Sequence, residues 1–174
     1  AVVTTKQFFK VAPGFAYRVN DRLALGATVN LNYQSLALST PAYTLPQTQG
    51  FGWGVTAGVV WKLADAVQLG AAWSSKQRMS ELEWNTAAGK FSMRMDAPQT
   101  LAVGLAWRPA QGLLVESDVK QIWFSKVLDR VTVERPGGYT GPIPAAMPFG
   151  WSDQTVFAIA EQKDIGDRMQ LRAG

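Results

Sequence analysis

Strict two-residue alternation constrains this chain more than any other feature, because successive side chains of an extended strand point to opposite faces. From Phe9 to Val19 the larger residues Phe9, Val11, Pro13, Phe15, Tyr17 and Val19 alternate with Lys10, Ala12, Gly14, Ala16 and Arg18. Leu23, Leu25, Ala27, Val29, Leu31 and Tyr33 alternate with Ala24, Gly26, Thr28, Asn30 and Asn32. Phe51, Trp53, Val55, Ala57, Val59, Trp61 and Leu63 alternate in the same way with Gly52, Gly54, Thr56, Gly58, Val60 and Lys62. Val67, Leu69, Ala71 and Trp73 repeat the pattern, as do Leu101, Val103, Leu105 and Trp107. The expected fold is all-β, an antiparallel meander of hairpins. About eight strands are predicted, near 7–19, 23–36, 51–63, 67–80, 91–108, 113–126, 151–161 and 168–174.

The connections alternate too. Asn20 to Arg22, Ala64 to Ala66 and Pro109 to Gly112 are tight joints, with a slightly longer one at Gln162 to Asp167. Between them lie long Pro-, Gly- and polar-rich stretches at Ala37 to Gly50, Glu81 to Lys90 and Val127 to Gly150. Short turns on one side and long loops on the other are the asymmetry of outer-membrane barrels, whose short turns face the periplasm. Tyr17, Trp61 and Trp107 then stand just before short turns, and Phe51, Trp53 and Trp151 just after long loops, as two interfacial girdles would.

Soluble sandwiches and lipocalin-like barrels share alternation and hairpins. The face opposite the large residues separates the classes. A soluble sheet exposes Lys, Glu and Arg there, whereas this chain offers mainly Gly, Ala, Thr and Asn, which suit a confined lumen. No run approaches the roughly 20 apolar residues of a spanning helix. The pattern therefore favours a transmembrane β-barrel in a bacterial outer membrane, with residues 1–174 forming part of a single barrel domain.

Composition removes other function classes. With neither cysteine nor histidine, thiol nucleophiles, His-based triads and the usual zinc clusters are excluded. No spacing argues for another catalytic constellation, so no enzyme activity, cofactor or metal is expected. The net charge of +4 is mild and its basic residues are scattered, which argues against a nucleic-acid partner. Ala1 to Lys10 lacks the charged start and apolar core of a signal peptide, and Met169 to Gly174 stops within an expected strand. The chain is therefore expected to be an internal piece of a longer protein.

Two groups of candidate site residues emerge. Glu116, Asp118 and Lys120 share one face of a strand, opposite Leu113, Val115, Ser117 and Val119, and are expected in the lumen. They would anchor a polar segment or ligand head group, or simply neutralise one another. Ile143, Met147 and Phe149, with Pro142, Pro144 and Pro148, make one long loop apolar and stiff. That loop would form an apolar entrance groove for ligand, or fold over its neighbours. Lys62 and Lys76 have lumen parity near strand ends, and Pro98 marks a kink or bulge.

Several stretches resemble the FadL-type outer-membrane transporters. Phe15-Ala16-Tyr17-Arg18-Val19-Asn20-Asp21-Arg22-Leu23-Ala24-Leu25-Gly26 is similar to that family's strand, Asn-Asp turn, strand hairpin. Gly50-Phe51-Gly52-Trp53-Gly54 with Gly58-Val59-Val60-Trp61, and Trp73-Ser74-Ser75-Lys76, resemble a second hairpin and the end of its return strand. Ala97-Pro98 before Val103-Gly104, Trp123-Phe124-Ser125 and Gly150-Trp151-Ser152-Asp153 complete the series. The resemblance rests on order and spacing along nearly the whole chain. It implies a longer barrel of roughly fourteen strands, whose N-terminal hatch and closing strands are absent from this sequence. It further implies passive transport of long-chain fatty acids or aromatic hydrocarbons, with a hydrophobic small molecule and outer-membrane lipid as partners. A general porin or structural barrel, and a soluble lipocalin-like binder, are the alternatives. Fatty-acid members carry a basic residue late in the long loop, where this chain reads Ala145-Ala146-Met147-Pro148-Phe149-Gly150. That departure leans toward neutral ligands.

Overall fold

Strands that alternate over ten or more residues satisfy their backbone groups only by pairing with neighbours, and here the pairing is continuous. In the computed structural model, which describes residues 2–166 and 169–174, the wall is built from β1 (Val3–Val11), β2 (Gly14–Asn20), β3 (Leu23–Ser39), β4 (Thr44–Ala64), β5 (Val67–Ser74) and β6 (Arg78–Met79). After an excursion, β9 (Thr100–Ala110), β10 (Leu113–Ile122), β13 (Gln154–Ile165) and β14 (Met169–Ala173) extend it. The order is β1-β3-β4-β5-β9-β10-β13-β14, antiparallel throughout, with β2 continuing β1 along β3 and β6 continuing β5 along β4. These are the eight expected wall strands in meander order. Asp167 and Arg168, in the last expected turn and strand, lie outside the described residues, as does Ala1.

Proline explains two interruptions. Pro13 separates β1 from β2 because it has no N–H for the ladder, although its carbonyl still accepts the amide of Val29 at 3.0 Å. Pro98 breaks the β5–β9 ladder between Ser74↔Thr100 and the isolated bridge Gln77↔Ala97. Other boundaries shift. The third wall strand starts at Thr44 rather than near 51, and the sixth ends at Ile122, followed by one helical turn, α1 (Ser125–Leu128).

Each short joint is a tight turn with a bulge beside it. Asn20 Oδ1 accepts the amides of Arg22 and Leu23 at 2.8 and 2.9 Å. Gly112, at φ 69°, supplies the left-handed residue between β9 and β10. Register shifts fall at Arg18/Asn20, Lys62/Ala64 and Leu113/Val115, which tightens the twist as the chain reverses. In the second joint Lys62 pairs with Asp65 at 2.9 Å. That hydrogen bond and charge hold the Asp65 carboxyl below the ordinary carboxylate range.

Opposed residues in an antiparallel pair share a face, so register carries the sequence alternation across the whole wall. Leu31↔Trp53, Leu25↔Val59, Trp61↔Leu69, Leu69↔Leu105 and Val119↔Phe157 assemble a convex apolar surface. Its side chains are open, Phe15 at 71% and Phe157 at 75%. By the pairings, Tyr17 lies level with Val59 on β4 and Trp107 level with Ala64, with Trp61 between them. The girdle thus slips about one residue per strand, and with a rise of about 3.4 Å and a spacing of about 4.8 Å this tilts the strands by about 40°. Outer-membrane barrels tilt by that amount.

The stretches expected as long loops, together with residues 91–93 at the start of the expected fifth wall strand, contain a second sheet. β7 (Leu82–Thr86), β8 (Gly89–Met93), β11 (Arg130–Glu134) and β12 (Ala146–Pro148) pair in the order β12-β11-β8-β7. This cap closes a conventional core, in which Leu36 and Leu45 from the far ends of β3 and β4 meet Leu82, Trp84, Phe91, Met93, Leu128, Val131 and Val133. Trp84 Nε1 donates to the carbonyl of Pro46 at 2.6 Å, and Phe91 meets Tyr139 edge to face at 4.9 Å. The period-two pattern within 82–86 and 130–134 is short, and the surrounding Pro and Gly mask it.

Candidate functional site

The concave side of the wall is a trough. One hydrogen-bonded row crosses it from Arg18 through Ala24, Val60, Gly70 and Gly104 to Asp118, about 24 Å along the sheet, with nothing larger than valine between the two charges. The next row runs Ala16, Gly26, Gly58, Ala72, Ala102 and Lys120. Small side chains leave a mostly apolar space of about 610 Å³. Glu116 and Asp118 are its only charged lining among the described residues. Asp118 lies over Gly104, where any side chain would collide with the carboxylate.

All three residues of the first candidate group stand on this face, since Glu116, Asp118 and Lys120 oppose Ala106, Gly104 and Ala102. The second group lies elsewhere. Ile143 and Met147, each 6% exposed, are buried in the cap core, while Phe149 at 39% remains open to solvent. The two groups do not form one site. Ile143 is held by backbone contacts as well, its amide donating to Tyr139 Oη at 3.2 Å and its carbonyl accepting from Arg135 at 3.3 Å.

Between trough and cap lies a layer of buried amides that the sequence reading did not single out. Asn30 donates to Thr56 Oγ1 at 2.9 Å, Asn32 to Gln77 Oε1 at 3.0 Å, and Gln34 to the carbonyl of Met95 at 3.1 Å. Asn30, Asn32 and Gln34 occupy alternate positions of β3, so the signal was present as three amides on one strand face. Gly54 makes room for the Gln77 side chain, and Gly52 for Met79. This explains the glycines interleaved with the outward Phe51 and Trp53.

The two lysines with lumen parity part company. Lys62 opposes Gln68 on the concave face. Lys76 is turned to the outer face, because an extra residue enters the strand at Ser75. No helix is long and apolar enough to cross a membrane, and no His/Cys/Asp/Glu cluster able to hold a metal occurs among the described residues. What the arrangement offers is a wide trough of small side chains in an apolar-faced wall, capped on the side of the long connections.

Known structures share this architecture. The Ralstonia pickettii toluene transporter TbuX superposes with a TM-score of 0.79 at 19% identity, covering 97% of this chain and 55% of that one. A Pseudomonas aeruginosa FadL homologue gives 0.77 at 16% identity, covering 97% and 49%, and the Pseudomonas putida toluene transporter TodX gives 0.72 at 21%, covering 97% and 54%. The chain thus spans about half the length of these proteins. No curated protein matches it. All of residues 1–174 match the family described as "Outer membrane protein transport protein (OMPP1/FadL/TodX)". With a wall of tilted strands faced outward by apolar residues and lined inward by small ones, the chain belongs to this family of outer-membrane transport proteins.

Proposed function

We propose that the protein of which this chain forms a part conducts neutral hydrophobic molecules, monoaromatic hydrocarbons foremost, passively across the outer membrane. The observation that carries this reading is the trough of about 610 Å³, lined mostly by Gly, Ala, Val and Thr with Phe15, Leu25 and Leu105. Glu116 and Asp118 are its charged groups among the described residues, while Arg18 and Lys120 stand on the same face outside that space. Such a surface offers an uncharged solute contact without competing for its hydration. Glu116 and Asp118 repel a carboxylate that enters this space. TbuX and TodX, which share the fold, are toluene transporters. No covalent chemistry or energy cofactor is needed for such passage. Phe149 remains available on the cap exterior for first capture, whereas Ile143 and Met147 serve by holding the cap together.

The test is uptake by cells producing the full-length protein, comparing toluene with a long-chain fatty acid. Wild type should accelerate toluene uptake over cells without the barrel. Glu116→Gln with Asp118→Asn should leave toluene unchanged and raise fatty-acid uptake about fivefold, the worth of one wet like-charge contact of about 1 kcal/mol. Toluene uptake no faster than in barrel-free cells would reject the reading.

A further inference from the structure

A bulge decides what the outer face of this wall presents to the membrane. From Thr56 back to Trp53, β4 advances three residues, while its partner advances four, from Ser74 to Arg78. The extra residue is absorbed at Ser75, whose hydroxyl accepts the amide of Val55 at 3.0 Å. Ser74 and Gln77 therefore both face inward, Ser74 Oγ lying 2.7 Å from Thr56 Oγ1 and Gln77 bonding to Asn32. Lys76 and Arg78, on either side of Gln77, face outward. Arg78 confirms this by opposing Trp53, a member of the convex surface.

Lys76 also shares a cavity of about 230 Å³ with Gln99, Trp123, Lys126 and Val127, the last of which packs against the edge of the cap core. Gln99 and Trp123 continue the outward parity of Leu101 and Val119. Lys76 and Lys126 thus line one cavity beside Trp123, and Arg78 stands two residues along the strand from Lys76, opposite Trp53 of the outer girdle. Two carboxylates lie nearby. Asp96 pairs with Lys76 at 3.2 Å, and Asp153 accepts the amide of Ser125 at 2.9 Å within the field of Lys126. Arg78 and Lys126 have no ion-pair partner among the described residues, so the cluster keeps an excess of positive charge. Trunk-and-head side chains of this kind at an interface meet the head groups of lipids.

We propose that Lys76, Arg78 and Lys126 form a site for the phosphate of an outer-leaflet glycolipid of the lipid A class, with Trp53 and Trp123 beside its glycan-to-acyl junction. The height and outward direction of the site choose the source. A phosphate reaching a lipid-facing wall at the long-loop side arrives on an outer-leaflet lipid, since the short turns mark the periplasmic end.

The experiment uses the full-length barrel in detergent, with bound lipid counted by native mass spectrometry. The probes are bisphosphorylated lipid A, the same lipid stripped of phosphate, and inorganic phosphate as competitor. Wild type should retain lipid A, lose retention with the dephosphorylated lipid, and be unaffected by equimolar inorganic phosphate. Lys76→Gln, Arg78→Gln and Lys126→Gln together should weaken retention by about tenfold or more, each cation near an anionic surface contributing severalfold. Heat-modifiable migration verifies that this variant folds, and Lys76→Arg with Lys126→Arg, which keeps the charge, should retain lipid. Equal retention by wild type and the folded triple variant, or equal binding of the dephosphorylated lipid, would overturn the site.

Discussion

The wall and the cap are made from the same residue types in opposite arrangements. In the wall, Phe15, Trp53, Trp61 and Phe157 point away from the protein and the interior is left to Gly26, Gly58, Gly70 and Gly104. In the cap, Trp84, Phe91, Met93 and Met147 point inward and are nearly sealed from solvent. The difference lies in the solvent on each side. A hydrocarbon bilayer takes up large apolar side chains as a core would, while backbone pairing alone holds the strands edge to edge. Water around the cap drives the same side chains together. The border runs along β3 and β4, whose outer ends leave the membrane and contribute Leu36 and Leu45 to the cap. At that border the alternate inward residues become Asn30, Asn32 and Gln34, which bond to what folds over them rather than lining an open space.

The contrast breaks most visibly in the cap. Ile143→Asp with Met147→Asp removes two buried side chains worth about 1.5–3 kcal/mol each. It also strands two carboxylates at a cost of several kcal/mol apiece. The cap should unfold and become sensitive to protease from outside the cell, while the wall, which shares only its outer strand ends with the cap, keeps its heat-modifiable fold. Phe149→Ser, at a position already open, should leave protease resistance intact. A protease-resistant double variant would show that the cap core is not what closes these connections.

A smaller effect should appear in the wall, with the opposite sense. Val59→Arg places a charge on the convex face between Trp53 and Trp61, two residues inside the latter, and should cost about 1–2 kcal/mol of barrel assembly, less than at the midplane, read as a reduced heat-modifiable fraction. Gly70→Ala on the concave face should be silent, because the nearest atom to its new methyl group, the carbonyl oxygen of Val59, is 4.0 Å away. Gly54→Asn is not an equivalent control despite its inward parity, since it displaces Gln77 from the amide layer. Equal folding of Val59→Arg and Gly70→Ala would mean that the two faces are misassigned.

Legibility in the sequence followed the same division. The wall could be read residue by residue, because alternation over ten or more residues survives local irregularity and the girdle aromatics recur at each hairpin end. What escaped were events of a single residue. The insertion at Ser75 reversed Lys76, and Pro13 cut a strand that parity alone runs through, whereas Pro98 had announced its break. The cap escaped more fully. Its strands are three to five residues long between Pro and Gly, too short for a period to declare itself, and its core draws on residues as distant as Leu36 and Met147. Glu116, Asp118 and Lys120 could be placed on a face because they ride a long strand, whereas Ile143, Met147 and Phe149 share a loop whose burial only tertiary contacts decide.

The seam where wall and cap join offers the finest test. Asp153 stands just before β13 and accepts the amide of Ser125 at the start of α1. The hydrogen bonds from Ser125, and to a lesser extent the charge of Lys126, hold its carboxyl below the ordinary range. A carboxylate whose folded pKa is depressed adds stability that is fully present above its unfolded pKa, about 3.9, and is lost as pH falls through the lower folded value. Asp153→Ala should therefore loosen α1 to a constant, small extent from neutral pH down to about pH 5, with the difference from wild type disappearing below pH 3.9 as the wild-type carboxyl takes up its proton. Amide hydrogen exchange at Ser125 and Lys126, compared between wild type and variant across this range, measures it. The pair is fully exposed and the effect modest, so barrel assembly should not change. A difference that persisted undiminished to pH 2 would assign the seam to packing of Phe124 on Trp151, whose rings meet edge to face at 4.8 Å, rather than to the carboxylate.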